Sequence, residues 1–197
     1  GNKIRKYDTW HAMGQGATTG SLVVTLEALK EMHLTPEDIQ LIQNDTKTCP
    51  DTGMAGASRS LYMDGNATII AANKLLAAMR KEDGTLHTYD EMKAEGIETK
   101  YLGRYETNTT PGLCRLDPNT GIGDPTPAFT YCLNLAEVEV DTKTGKTTVL
   151  KFTCVDFVGR IGNIDAVNGQ AYSGIMHGIG FALKEDYADV KKHANMF

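Results

Sequence analysis

Ala136-Glu137-Val138-Glu139-Val140-Asp141-Thr142-Lys143-Thr144-Gly145 decides the fold class. Apolar residues at 136, 138 and 140 alternate with Glu137 and Glu139, the two-residue period of a strand with one apolar face. Asp141 to Gly145 then carries turn chemistry, and Thr147 to Phe157 is again rich in β-branched and aromatic residues. Together these predict an antiparallel β-hairpin. Upstream, Lys3-Ile4-Arg5-Lys6-Tyr7 reads as a strand. A helix is expected from Thr18 to His33, with Leu22, Leu26 and Leu29 on its buried face, then a turn over Leu34 to Asp38 and a short strand from Ile39 to Gln43. A second helix, from Ser60 to Lys81, places Ile69, Ile70, Ala72, Leu76 and Met79 at helical spacing. Thr88-Tyr89-Asp90-Glu91 has the form of a capping box for a short helix ending at Gly96. A last helix is expected over 169–187, with Ile175, Ile179 and Leu183 on one face. Strand–helix–strand–helix followed by a hairpin and one helix is an α+β order, with helices packed on a mixed or antiparallel sheet and no doubly wound parallel sheet.

The organisation expected is a strand-helix-strand-helix part over 1–81, an irregular insertion over 82–130 and the hairpin with its helix over 131–197. Pro111, Pro118, Pro125 and Pro127 fall in that insertion. Apolar residues at 41% and charged residues at 23% suit a chain that buries a core, and a net charge of −5 argues against a nucleic-acid surface. No apolar run reaches the roughly 18 residues of a membrane span, and no secretory signal opens the chain. Cys49, Cys114, Cys132 and Cys154 are 65, 18 and 22 positions apart. No CxxC pair is present, so zinc-ribbon and iron–sulfur spacings are lacking, and reduced thiols in a cytoplasmic protein are expected. The first residue, Gly1, and the apolar ending at Met196-Phe197 suggest a piece of a longer polypeptide.

Glycine is enriched, 20 of 197 residues, and it gathers in three loops. They are Met13-Gly14-Gln15-Gly16, then Gly53-Met54-Ala55-Gly56-Ala57-Ser58-Arg59, then Gly159-Arg160-Ile161-Gly162-Asn163 leading to Asn168-Gly169-Gln170. A small-residue loop before a helix exposes unpaired N–H groups and the positive end of the helix dipole, which suits phosphate or another polar anion. Gln15 and Gln170 add amides that donate and accept, which suits a heterocycle. The run Gly14-Gln15-Gly16-Ala17-Thr18-Thr19-Gly20 imitates GxGxxG with its last glycine one position late, which argues against a Rossmann fingerprint, and no GxxxxGK[ST] occurs. A dinucleotide-binding domain and a non-enzymatic anion- or partner-binding module are the rival readings. His11 and His177 read as structural histidines, and the charged run at Lys184-Glu185-Asp186 with Lys191-Lys192 as a solvated end.

Met13-Gly14-Gln15-Gly16 after a strand, Asp51-Thr52-Gly53 with Ser58-Arg59 and Gly65-Asn66-Ala67, and Gly169-Gln170 with Gly178-Ile179-Gly180 together resemble the molybdenum hydroxylases, the xanthine dehydrogenase and aldehyde oxidoreductase family. The Ser-Arg and Gly-Asn-Ala elements are most similar to its bacterial aldehyde oxidoreductases. The resemblance runs through the whole chain. It implies part of a molybdopterin-binding domain, with molybdenum on a pterin in its cytosine dinucleotide form. Met13, Gly14 and Gln15 would contact the pterin near the metal. Ala55, Gly56, Ala57, Ser58, Arg59 and Ser60 would wrap its phosphate and nucleotide part, while Gly162, Asn163, Ile164, Asp165 and Gln170 would touch the same group. Ala12 departs from the acidic residue of many members, and Arg160 and Ile164 match no family pattern.

The resemblance also implies hydroxylation of an aldehyde or N-heterocycle with oxygen from water. Iron–sulfur clusters and the remaining domains or subunits would be supplied elsewhere. The family's general base, a Glu in a Gly-Glu segment, corresponds to no position of this sequence, and Glu27, Glu31, Glu137 and Glu139 read as solvated. No catalytic residue and no metal ligand is therefore expected in this chain, and the isolated fragment is expected to be empty of cofactor and inactive.

Overall fold

The computed structural model describes residues 3–56, 59–106, 116–124 and 129–185, and the chain divides into two compact units, Gly1–Pro127 and Ala128–Phe197. The expectations that rest on Ala57, Ser58, Cys114, Pro111, Pro125, Pro127 and the chain beyond Glu185 lie outside the described residues.

In the first unit, strand β1 (Ile4–Asp8) leads through helix α1 (Ala17–Ala28) to strand β2 (Ile39–Gln43). β1 and β2 pair in parallel, Ile4 opposite Ile39 through Asp8 opposite Gln43. The crossover through a helix is what a parallel pair requires. Between α1 and β2, the 3-10 turn Pro36–Asp38 is closed by Thr35, whose N–H and hydroxyl both donate to the Asp38 carboxylate. Helix α2 (Arg59–Met79) packs along α1, and Leu29, Ala72 and Leu76 form the centre of the core, flanked by Ile4, Ala28, Met32, Leu34, Leu75 and Leu86.

α1 ends five residues earlier than His33, and its most buried residues are Ser21 and Thr25, in line with Leu29 one turn further on, where Leu22 and Leu26 were expected. The reason is electrostatic. Ser21 faces a buried ion cluster, and the Thr25 hydroxyl donates back to the Ser21 carbonyl at 2.7 Å, so neither polar group is left unpaired. Ile69 of α2 is 44% exposed and stands off the buried stripe of Met63, Asp64, Gly65, Thr68, Ala72, Leu76 and Met79.

Helix α3 (Tyr89–Ala94) carries the expected capping box: Glu91 N–H donates to the Thr88 hydroxyl, and the Thr88 N–H donates to the Glu91 carboxylate at 2.7 Å. Gly96, at φ +69°, closes it. The segment after α3 lies against α2, with the Tyr62 and Tyr105 hydroxyls 2.7 Å apart and Lys74 Nζ donating to the Leu102 carbonyl at 2.9 Å.

In the second unit, strands β3 (Tyr131–Val140) and β4 (Thr147–Phe157) form the hairpin, antiparallel, with a register shift between Glu137 and Val138. Helix α4 (Ile164–Leu183) follows. It begins five residues before the expected Gly169, because Asn163 caps it by accepting the Ala166 N–H at 2.9 Å. The stretch from Ile164 to Asn168, ahead of the expected start at Gly169, is therefore helix as well. The class is α+β, and among the described residues the strands form one parallel and one antiparallel pair. Tyr131, Leu133, Val155 and Phe157 remain 60–70% exposed, and α4 has no fully buried residue. No helix among the described residues is long and apolar enough to cross a membrane.

Candidate cofactor-holding loops

The base of the first loop is an ion cluster at the end of β1. Lys6 Nζ lies 2.7 Å from Asp64 and 3.1 Å from Asp8, and also donates to the Ser21 hydroxyl. Ser21 in turn donates to Asp8 at 3.0 Å. The side chains of Lys6, Asp8 and Asp64 are 10%, 4% and 8% exposed. Burial pushes the Asp64 carboxyl above the usual carboxylate range, although Lys6 pulls the other way. One cation between two carboxylates fixes β1 to both helices at the carboxyl ends of the parallel strands, where open α/β units hold their ligands.

From that base the chain turns through Trp10 into Met13-Gly14-Gln15-Gly16. Gly14 sits at φ +110° with open space where a side chain would be, and Gly16 takes the left-handed conformation at φ +83° as the N-cap of α1. No side chain caps α1, so its first-turn N–H groups are left for an added acceptor. Gln15 closes its own loop, accepting the Met13 N–H at 2.5 Å and donating to the His11 carbonyl at 3.5 Å. An amide so placed still has a second hydrogen and a second lone pair for a heterocycle. Met13 is 70% exposed.

The second loop reaches the first. Thr9 donates to the Pro50 carbonyl at 2.9 Å and its hydroxyl also bonds that of Thr52. Gly53, at φ +73°, has open space beside it and donates its N–H to Asp51 at 3.0 Å. Arg59, the first residue of α2, places its guanidinium 5.8 Å above the Trp10 ring. That stacking leaves the planar guanidinium edge able to donate to an anion. Ala55, Gly56, Arg59 and Ser60 are half-buried around this corner. Met13 to Gln15 and Ala55 to Ser60 are thus assembled in one unit, apart from Ala57 and Ser58, which are not described. The donor set, backbone N–H groups, an amide and a guanidinium held over Trp10, fits an anionic pterin phosphate.

Gly162, Asn163, Ile164, Asp165 and Gln170 belong to the second unit. Asn163 is the α4 cap, Asp165 lies in its first turn, and Gly162, Ile164 and Asp165 are exposed. Gln170 lines a cavity of about 310 Å³ between β4 and α4, beside Asn134, Cys154, Asp156 and Ile175. Cys154 donates to Asp156 at 3.2 Å, which raises its thiol pKa. The glutamates set aside as solvated are so: Glu27 pairs with Lys30 at 3.1 Å, Glu31 with Arg80, and Glu137 with Lys151 at 3.5 Å, all at the surface. His11 and His177 are exposed, and among the described residues no three His, Cys, Asp or Glu side chains could hold a metal ion. Sequence reasoning missed Trp10 and the Lys6–Asp8–Asp64 cluster. A lone tryptophan at a strand end was the one available signal.

Residues 3–195 match the model of the molybdopterin cofactor-binding domain. The chain is 40% identical over 193 residues to the aldehyde oxidoreductase of Megalodesulfovibrio gigas, covering 98% of this chain and 21% of that protein. It is 25% identical over 179 residues to the xanthine dehydrogenase of Dictyostelium discoideum, covering 88% of this chain and 13% of that protein. The crystal structure of the aldehyde oxidoreductase of Desulfovibrio desulfuricans superposes with a TM-score of 0.89 at 43% identity, over 97% of this chain and 20% of that one. The chain thus spans about a fifth of the length of these aldehyde oxidoreductases. With its two loops gathered on the buried base of β1 and a match along nearly every residue, the chain belongs to the molybdopterin cofactor-binding domain family.

Proposed function

We propose that this chain is the part of a larger cytoplasmic oxidoreductase that holds a molybdopterin cofactor in its cytosine dinucleotide form, and that the whole protein hydroxylates an aldehyde or N-heterocycle with oxygen from water. The observation that carries the reading is 40% identity to an aldehyde oxidoreductase along 98% of the chain. The uncapped α1 terminus and the Trp10–Arg59 corner support it. When bound, the cofactor supplies the two-electron redox centre.

The chain's own residues bind and orient. Backbone N–H groups of Gly14 and the first turn of α1 donate to anionic or carbonyl oxygens, and Gln15 offers its amide to the ring system. Arg59 and Ser60 take the phosphate side, with Met13, Ala55 and Gly56 shaping the same surface, and the resemblance assigns Ala57 and Ser58 to the phosphate as well. Gly162, Asn163, Ile164, Asp165 and Gln170 act likewise on the second unit. Donors fixed before the ligand arrives cost little reorganisation, which is how a site of this kind stabilises developing charge. The general base and iron–sulfur clusters come from the rest of the polypeptide or its partner subunits, so the chain alone gives no turnover. The open apolar faces of β3, β4 and α4 are consistent with coverage by those parts.

The test is the molybdenum and pterin content of the full-length protein. Gln15→Ala and Arg59→Ala are each expected to lower it severalfold, Arg59→Ala more, since hydrogen bonds to charged groups are worth about 1.5–3 kcal/mol. Full occupancy in both variants would overturn the reading.

A further inference from the structure

The side chain of Gln43, last residue of β2, touches both ends of the first loop. Its Nε2 donates to Asp8 Oδ1 at 2.7 Å and, more weakly, to the Trp10 carbonyl at 3.4 Å, where the chain enters the loop. Its Oε1 accepts from the Thr18 hydroxyl at 3.1 Å, in the first turn of α1, where the chain leaves it. Asp8 is itself held by Lys6 and Ser21 and is 3% exposed, so the clasp is anchored in the core. Among the described residues, the side-chain hydrogen bonds of the Met13–Gln15 turn itself, those of Gln15, stay within its own loop.

We propose that Gln43 is a positioning residue, a single amide that clamps entry and exit of the Met13–Gln15 loop and so sets where its donors stand for the cofactor. The inference rests on the reading of that loop as cofactor-holding. Both functions of the amide are required. A carboxylate at this place could accept from Thr18 but could not donate, and it would face Asp8 with like charge. A position sensitive to Glu as much as to Ala is the signature of the clamp.

The experiment uses the full-length protein with four variants: Gln43→Ala, Gln43→Glu, Gln15→Ala, and Thr35→Ala as a control that removes a cap at the other end of β2. Two quantities are read, the rate of pterin release on dilution and the hydrogen–deuterium exchange of residues 9–20 in the cofactor-free protein. For Gln43→Ala and Gln43→Glu, release about tenfold faster is expected, the equivalent of roughly 1.4 kcal/mol. Exchange over 9–20 should quicken as well, with Thr35→Ala near the parent in both. Unchanged exchange over 9–20 in Gln43→Ala would overturn the clamp, as would Thr35→Ala matching the Gln43 variants. Parent-like release in the Gln43 variants beside rapid release in Gln15→Ala would sink the clamp alone. Parent-like release in Gln15→Ala would instead sink the cofactor reading of the loop, and the inference with it.

Discussion

Replacing Lys6 by Met tests the base on which the first loop stands. The methionine keeps the length of the apolar stem while removing the ammonium, so what changes is the charge between Asp8 and Asp64. Lys6 Nζ is 3.1 Å from Asp8 and 2.7 Å from Asp64, and all three side chains are at most 10% exposed. Removing one partner of a buried ion pair costs about 3–5 kcal/mol, because the other charge stays desolvated. Two carboxylates are orphaned here, although Asp8 keeps hydrogen bonds from Ser21 and Gln43. The expected loss is therefore about 3–5 kcal/mol at neutral pH, or roughly 6–20 °C in melting temperature for a chain of this size. The assay is urea unfolding followed by the fluorescence of Trp10, the chain's single tryptophan, 5% exposed. The sign with pH is fixed. Asp64 already has its pKa raised by burial, and losing the cation raises it further. A carboxylate raised in the folded state keeps its stability below the unfolded value and loses it as pH rises through the folded one. The deficit of Lys6→Met should shrink on acidification towards pH 4, and Lys6→Met with Asp64→Leu should recover part of it. A deficit below about 1 kcal/mol at pH 7, or one that grows in acid, would refute the reasoning.

Gly103 lies against α2, where an added Cβ would collide with the Ala67 carbonyl. Gly103→Ala is expected to cost at least about 1–3 kcal/mol in urea unfolding, more than Gly84→Ala, which is strained only by its φ of +85°. The Thr88 N–H and Lys81 hold the Glu91 carboxyl well below its ordinary range, at about 2. The stability this lends α3 is present above the ordinary carboxylate range and is lost as pH falls towards 2. A carbon NMR titration placing the Glu91 midpoint at an ordinary glutamate value would contradict it.

What the sequence made legible was local. The alternation of Ala136, Val138 and Val140, the turn at Asp141 and the Thr88–Glu91 box all act over a few residues, and the structure has them as expected. The start of α4 was written in the sequence as well, in Asn163 with Asp165 two residues on, but the glycines at 159 and 162 read as a loop and the helix was expected only from Gly169. The buried stripe of α1 was not legible. Leucine spacing points to Leu22 and Leu26, whereas Ser21 is buried because Lys6, Asp8 and Asp64 meet there, and Lys6 and Asp64 are 58 residues apart. A contact of that range leaves no period to read. The same holds for Arg59 over Trp10. The loops themselves were visible as glycine clusters, but the clasp that fixes the first of them, Gln43, was not, because its partners lie on β1 and α1.

The loops of this chain are proposed to hold the molybdopterin cofactor. The most direct measurement is a crystal structure of the full-length protein with molybdenum located by its anomalous signal. The account predicts Gln15, Arg59 and the Gly14 amide within hydrogen-bonding distance of the pterin or its phosphates. A cofactor bound elsewhere, with these groups out of reach of it, would contradict the account.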